Sequence, residues 1–318
     1  MKKGFLLFFM LIVGVFSLSS CNKRTTIVCS KEEVKKIYTP TSDVDSIILS
    51  DIKMAKGTYT VPVDIVVEGG TEKEISLTGQ PEILDSIVMT STFGTLNISG
   101  NSNATYYTDS LKLNIKGYKI KEFDLELSTI KASDEGLSSS VVFNLNYASF
   151  LKMESFKGKS FTANLKSKSR IDIKRLELSS SLQITEKEQA EVKINNLTAQ
   201  EAKFTLGDQS EANIFSNGVE NSIYTLNNDS YITVIGNLNT LDLVLSQGHF
   251  NGKDCTTRAV SINAGYGKSL IEVKATESIS VNSAVGNCKV VYYGGNPTIT
   301  KTNITGEVTI ENANEGQE

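Results

Sequence analysis

The sequence predicts an all-β chain wound into a parallel β-helix, a β-solenoid with coils of about 20 residues. Two observations carry this. Apolar and polar residues alternate in short runs along most of the chain, the period-2 pattern of a half-buried strand. Equivalent apolar positions then recur at a nearly constant interval, the mark of stacked structural repeats.

The first series of runs includes Phe123-Asp-Leu125, Phe143-Asn-Leu145, Leu182-Gln-Ile184, Phe204-Thr-Leu206 and Tyr224-Thr-Leu226. Taking Leu125, Leu145, Leu165, Ile184, Leu206, Leu226, Leu245, Ile262 and Val281 as one ladder gives steps of 20, 20, 19, 22, 20, 19, 17 and 19. A second series runs half a period out of phase. It includes Ile171-Asp-Ile173, Val192-Lys-Ile194, Ala212-Asn-Ile214, Ile271-Glu-Val273, Val291-Tyr-Tyr293 and Val308-Thr-Ile310. Turn formers such as Gly207-Asp208-Gln209-Ser210 and Asn227-Asn228-Asp229-Ser230 separate the two. An antiparallel sandwich also has short strands every 8–12 residues. The regular one-coil period and the scarcity of Asn-Gly hairpin turns favour the solenoid. Helix is expected only as one turn, Glu32 to Ile37.

The N-terminus reads as an export signal: Lys2-Lys3, an apolar run from Phe5 to Phe16, then Leu18-Ser19-Ser20-Cys21. The run is too short to cross a bilayer, which needs about 20 apolar residues. The Leu-Ser-Ser-Cys ending resembles the lipobox of bacterial lipoproteins. That resemblance implies removal of residues 1–20 and acylation of the Cys21 thiol, so the membrane partner is reached through a lipid anchor. Several acyl chains hold a protein where one is marginal. Asn22 stands where an aspartate retains some lipoproteins at the inner membrane, which points to the outer membrane. Lys23 and Arg24 replace the acidic patch some lineages use for surface display, which favours the periplasmic face. Residues 21–42 are then a lipidated linker, 43–311 the solenoid and 312–318 a disordered tail.

Losing residues 1–20 takes two of the 32 basic residues, leaving 30 against 36 acidic ones, a net charge of −6. Nucleic acid is therefore not an expected partner. Cys29, Cys255 and Cys288 remain besides Cys21. A Cys255–Cys288 disulfide is compatible with an exported protein, and Cys29 falls in the expected linker. One histidine and these cysteines do not complete a zinc site, so no metal or cofactor is assigned.

From about Ser46 to Ile310 the chain resembles the head GIN domain of auto-transporter adhesin-like proteins. The residues that carry this are the hairpin from Ile87-Val88 to Gly94-Thr95-Leu96-Asn97-Ile98, the turn Ser283-Ala284-Val285-Gly286, the segment Tyr292-Tyr293-Gly294-Gly295-Asn296-Pro297, and Thr305-Gly306-Glu307-Val308. The resemblance implies a parallel β-helix without an established enzyme activity.

The search for chemistry yields no catalytic residue. His249 reads as a turn residue beside a buried Phe250. Asp208 and Asp229 fall in equivalent turns of adjacent coils, about 5 Å apart by coil spacing, where two carboxylates can bind a ligand or act as a dyad. Tyr292 and Tyr293 are the first aromatic candidates for a glycan surface, with Tyr224, Tyr231 and Tyr266 behind them. Asp-Ser-Ile or Asp-Ser-Leu triplets at Ser46, Ser86 and Ser110 resemble an O-glycosylation pattern of some anaerobic Gram-negative bacteria. The function expected is a non-enzymatic, adhesin-like envelope lipoprotein that binds a protein or glycan. A polysaccharide-active enzyme on the same scaffold, or a periplasmic structural or stress-related protein, are the alternatives.

Overall fold

A computed structural model describes residues 25–313. The expected signal segment, Cys21 and most of the expected tail lie outside the described residues. Strand accounts for 72% and helix for 2%, and the strands form a parallel β-solenoid of about 10 turns with coils about 20 residues apart. The predicted fold class is the observed one. Among the described residues no helix is long and apolar enough to cross a membrane.

Coils turn at breaks in the pairing register and at residues with positive φ. Strand Leu176–Glu186, for example, pairs in parallel with Leu197–Leu206, with a register break between Glu177 and Ser181. The pairing puts inward side chains in stacks. Phe123 and Phe143 stack in register with ring centroids 4.7 Å apart, and Phe161, registered with Val141, tilts over Phe143 at 5.3 Å. Parallel in-register stacking at about 4.8 Å per coil lets like side chains pack on like.

The observed ladder departs from the predicted one at two coils. Gly265 N–H bonds to Leu245 O, which sets Ala264 rather than Ile262 opposite Leu245. The other departure is at Ile184. Leu165 pairs with Glu186, and Glu186 with Leu206. Ile184 lies one inward position earlier, between Ala163 and Phe204. A search for apolar residues skips the carboxylate, which is why the sequence-derived steps there read 19 and 22. The second series has one slip of its own. Ile271 pairs with Val290 and Val273 with Tyr292, so Cys288, Val290 and Tyr292 are inward while Val291 and Tyr293 face out.

Coil order at the N-terminal end does not follow the chain. Ser46–Ser50 lies between Thr95–Ser99 and Ile120–Glu126. Val63–Glu68 lies between Leu111–Lys116 and Ser128–Ala132. The segment 95–116 thus forms the coil beyond 46–68, and the chain crosses back at 117–119 to continue the stack. Antiparallel strands close this end: Glu74–Gly79 on Leu111–Lys116, Val34–Tyr38 on Glu74–Gly79, and Val88–Thr92 on Thr95–Ser99. A helical turn, Pro81–Leu84, buries Ile83 and Leu84 against the cap. Residues 34–38 are therefore strand, not the helical turn expected at 32–37. Thr25–Val28 also pairs, with Ala104–Tyr107. Nine of the described residues 25–42 of the expected linker are thus in paired strands.

Corner geometry gives a paired test. Gly218 and Gly236 both have positive φ, 103° and 105°. A Cβ on Gly218 would meet nothing within 4 Å, whereas one on Gly236 would sit 2.0 Å from the Ser216 carbonyl oxygen. Gly218→Ala is expected to cost only the backbone strain, about 1–3 kcal/mol. Gly236→Ala is expected to cost more, because the neighbouring coil must also move. Thermal melts of the two variants separate the contributions.

Candidate functional site

Five stacked turns use two consecutive left-handed residues that are not glycine. They are Tyr147-Ala148, Ser167-Lys168, Glu188-Gln189, Asp208-Gln209 and Asn228-Asp229, with φ between 52° and 65°. Such a conformation is unfavourable for L-residues, so the turn must be held by its surroundings. The next residue supplies one hold in three of these turns. Ser149, Ser169 and Ser210 each donate a hydroxyl back to the carbonyl of the turn's first residue, at 2.6, 2.7 and 2.7 Å. Ser230 donates instead to the Leu206 carbonyl, at 3.2 Å. Ala190 interrupts this serine ladder in the coil that carries Glu186.

Outside, the turn side chains form a polar ladder. Gln189 Nε2 donates to Gln209 Oε1 at 3.1 Å, and Asn228 Nδ2 donates to Asp208 Oδ1 at 2.9 Å. These contacts correct the expected carboxylate dyad. Leu206 pairs with Leu226, so Asn228 stands opposite Asp208. Asp229 lies one residue further on, opposite Gln209, whose N–H bonds to Asn228 O. Asp208 and Asp229 line the same shallow groove without forming a matched acidic pair. Among the described residues no group of three or more potential metal ligands is assembled.

Asp229 also borders a second cleft of about 630 Å³, which extends over Tyr231, His249, Lys268 and Lys289. Its rim joins a side-chain network across successive coils. His249 Nε2 lies 3.0 Å from Glu272 Oε2, and the Tyr293 hydroxyl donates to Glu272 Oε1 at 2.9 Å. The Tyr231 ring meets His249 edge-on, with centroids 4.6 Å apart. Asn251 Nδ2 donates to the Tyr231 hydroxyl at 3.0 Å. Burial works against the charge on Glu272, but hydrogen bonds from His249 and Tyr293, with the charges of His249 and Lys253, hold its carboxyl below the usual range. The bond to Glu272 in turn raises the Tyr293 phenol. Glu272 thus contributes stability above the ordinary carboxylate range and loses it as pH falls through its depressed value.

The other candidates separate. Tyr293 faces outward into this network, whereas Tyr292 packs partly buried against the core. Tyr224 is fully buried in the ladder, and Tyr266 is exposed in a turn. His249, expected to be a turn residue beside a buried Phe250, has that buried neighbour but sits in strand at the centre of the network. Its spacing to Glu272 and Tyr293 is about one and two coils, so only coil stacking brings them together. Ser46 is buried in a strand flanked on both sides. Ser86 and Ser110 are half-buried, and their hydroxyls donate to Ile83 O and Glu33. Cys29, Cys255 and Cys288 are free thiols, so the Cys255–Cys288 pairing is not made. Burial pushes Cys255 and Cys288 up to about 11, which makes them unreactive near neutral pH.

Comparison with known proteins follows the fold. A family model described as "Putative auto-transporter adhesin, head GIN domain" matches residues 58–219 and 155–297. No curated protein matches the chain. Among solved structures, it is similar to a "putative lipid binding protein" from Parabacteroides distasonis, at 18% identity and TM-score 0.41, covering 91% of this chain and 100% of that one. A "putative adhesin" from Bacteroides fragilis has 16% identity and TM-score 0.35, covering 90% and 99%. Another from Parabacteroides merdae has 13% identity and TM-score 0.41, covering 91% and 99%. At these scores the structural likenesses carry no argument about function.

Proposed function

Since this chain belongs to the head GIN domain family of adhesin-like proteins, we propose that it is a non-enzymatic binding protein of the cell envelope. In this reading it is anchored through lipid on Cys21 and takes a glycan ligand in the cleft over Tyr231 and His249, whose rim joins the Glu272 network. The observation that carries the ligand site is the network of Tyr231, His249, Glu272, Tyr293 and Asn251 on successive coils. Binding sites combine apolar ring surface with a few fixed polar groups that set orientation. Tyrosine offers both at low entropic cost. Strands of a solenoid hold such groups rigidly, so little ordering opposes binding. His249 is engaged by Glu272 rather than by a hydroxyl or thiol, which favours binding over nucleophilic catalysis.

The test is a glycan array, followed by titration of any hit against Tyr231→Ala and Glu272→Gln. Each variant is expected to bind about tenfold more weakly, equivalent to about 1.4 kcal/mol. Wild-type protein that binds no glycan, or variants that bind like wild type, would refute the cleft assignment. Turnover of a bound glycan would establish an enzyme instead. The anchor is tested separately, by mass spectrometry of the native N-terminus and by release of a Cys21→Ala chain into the soluble fraction.

A further inference from the structure

We propose that the N-terminal end of the solenoid rests on the bilayer, with Phe93 and the rim around it in the headgroup zone. This rests on the anchoring reading of Cys21 and adds an orientation to it. Three strands are outermost at this end, each paired on one side only: Thr25–Val28, Val34–Tyr38 and Val88–Thr92. Each exposes apolar side chains to solvent. Val28 is 76%, Ile37 63% and Val88 58% exposed, and Phe93, at the tip of the Val88–Ser99 hairpin, is 99% exposed.

Exposed apolar residues on three separate edge strands at one end stand out, because protein edges facing water normally carry charge or proline. Only Val34–Tyr38 has charge, at Lys35 and Lys36, while Thr25–Val28 and Val88–Thr92 have none. The anchor position explains where they are. Thr25 comes four positions after Cys21, and four residue steps span at most about 14 Å when extended. The first strand is docked on the cap, so no longer tether intervenes. A lipid on Cys21 therefore brings this end, and not the cleft, to the membrane surface. The edge strands also set the depth. Their unpaired backbone groups cannot enter hydrocarbon without loss, but water in the interfacial zone satisfies them while Phe93 and the valines contact the acyl boundary. The solenoid then stands upright, with about 10 turns at about 4.8 Å each, and the His249 cleft lies toward the far end.

The chain contains no tryptophan, so Phe93→Trp is a single fluorescent reporter in the lipidated protein. In vesicles of phosphatidylethanolamine and phosphatidylcholine its emission is expected to move to shorter wavelength and to be quenched by brominated acyl chains. Tyr266→Trp, in an exposed turn near the cleft, is expected to keep the emission of water. If mass spectrometry shows the lipid on Cys21 and Phe93→Trp still emits as in water, the docking is overturned while the anchor stands. A blue shift without quenching by brominated lipid means that protein covers this end, which also overturns the docking. An unmodified Cys21 removes the anchor and the orientation with it.

Discussion

Replacing Glu186 with leucine is expected to stabilise the protein, and more so as pH rises. Glu186 is fully buried, in register between Leu165 and Leu206, and neither carboxyl oxygen has a hydrogen-bond partner. Burial, then the nearby Glu191 and Glu211 carboxylates, raise its pKa well above the ordinary value. A raised folded-state pKa means that the folded chain holds the proton more tightly than the unfolded one. Stability from this proton is complete below the unfolded carboxylate value, about 4.3. It is lost progressively as pH rises toward the folded value, the reverse of what Glu272 contributes. Leucine removes both the buried unpaired group, worth about 1–3 kcal/mol, and the pH slope. Glu186→Gln keeps the shape and a polar cost but cannot ionise, so it should lose the slope with a smaller gain. Melting curves from pH 4 to 8 measure both. A Glu186→Leu chain that melts lower than wild type at pH 8, or keeps the wild-type slope, would show that the carboxyl is satisfied in solution.

Phe143→Ala is expected to cost about 3–5 kcal/mol, the usual loss for emptying a buried aromatic site. Phe143 is fully buried and stacks nearly parallel on Phe123, with 4° between planes, and tilted on Phe161. Aromatic pairs add about 0.5–1.5 kcal/mol beyond area burial. Collapse cannot fill the gap, because strands above and below are fixed in register on both sides. Phe143→Leu keeps most of the volume and is expected to lose much less. Denaturant titration with both variants gives the comparison. Equal losses would mean that the ring stack contributes no more than generic apolar volume.

The solenoid was legible in the sequence because its signals are local. Alternation along Phe143-Asn-Leu145 and repetition one coil later at Phe161 to Leu165 report burial and period without knowledge of the partner strand. The hairpin at 88–99 was expected only through the family resemblance carried by Ile87 to Ile98. The candidate site was less so. Tyr293 and Asp229 were found as residue types, but His249 and Glu272 stand 23 positions apart, and no local pattern marks them as neighbours. The carboxylate dyad failed on register: a coil of 20 residues brings Asp208 to Asn228, one position short of Asp229.

Three features belong to the tertiary structure alone. Coil 46–68 sits between 95–116 and 120–132 because any apolar strand of similar pattern can pair with any other, and only the total burial selects the order. Glu186 fell at an inward position by the same period of two as Leu182 and Ile184, but its cost appears only when neighbouring coils seal it from water. The network of Tyr231, His249, Glu272 and Tyr293 exists because parallel stacking converts separations of about 20 residues into contacts of a few ångströms. Amino-acid order determined the winding, through local alternation and a constant repeat. Packing between coils decided which side chains meet, because pairing energy depends on the strand above and below rather than on the strand itself.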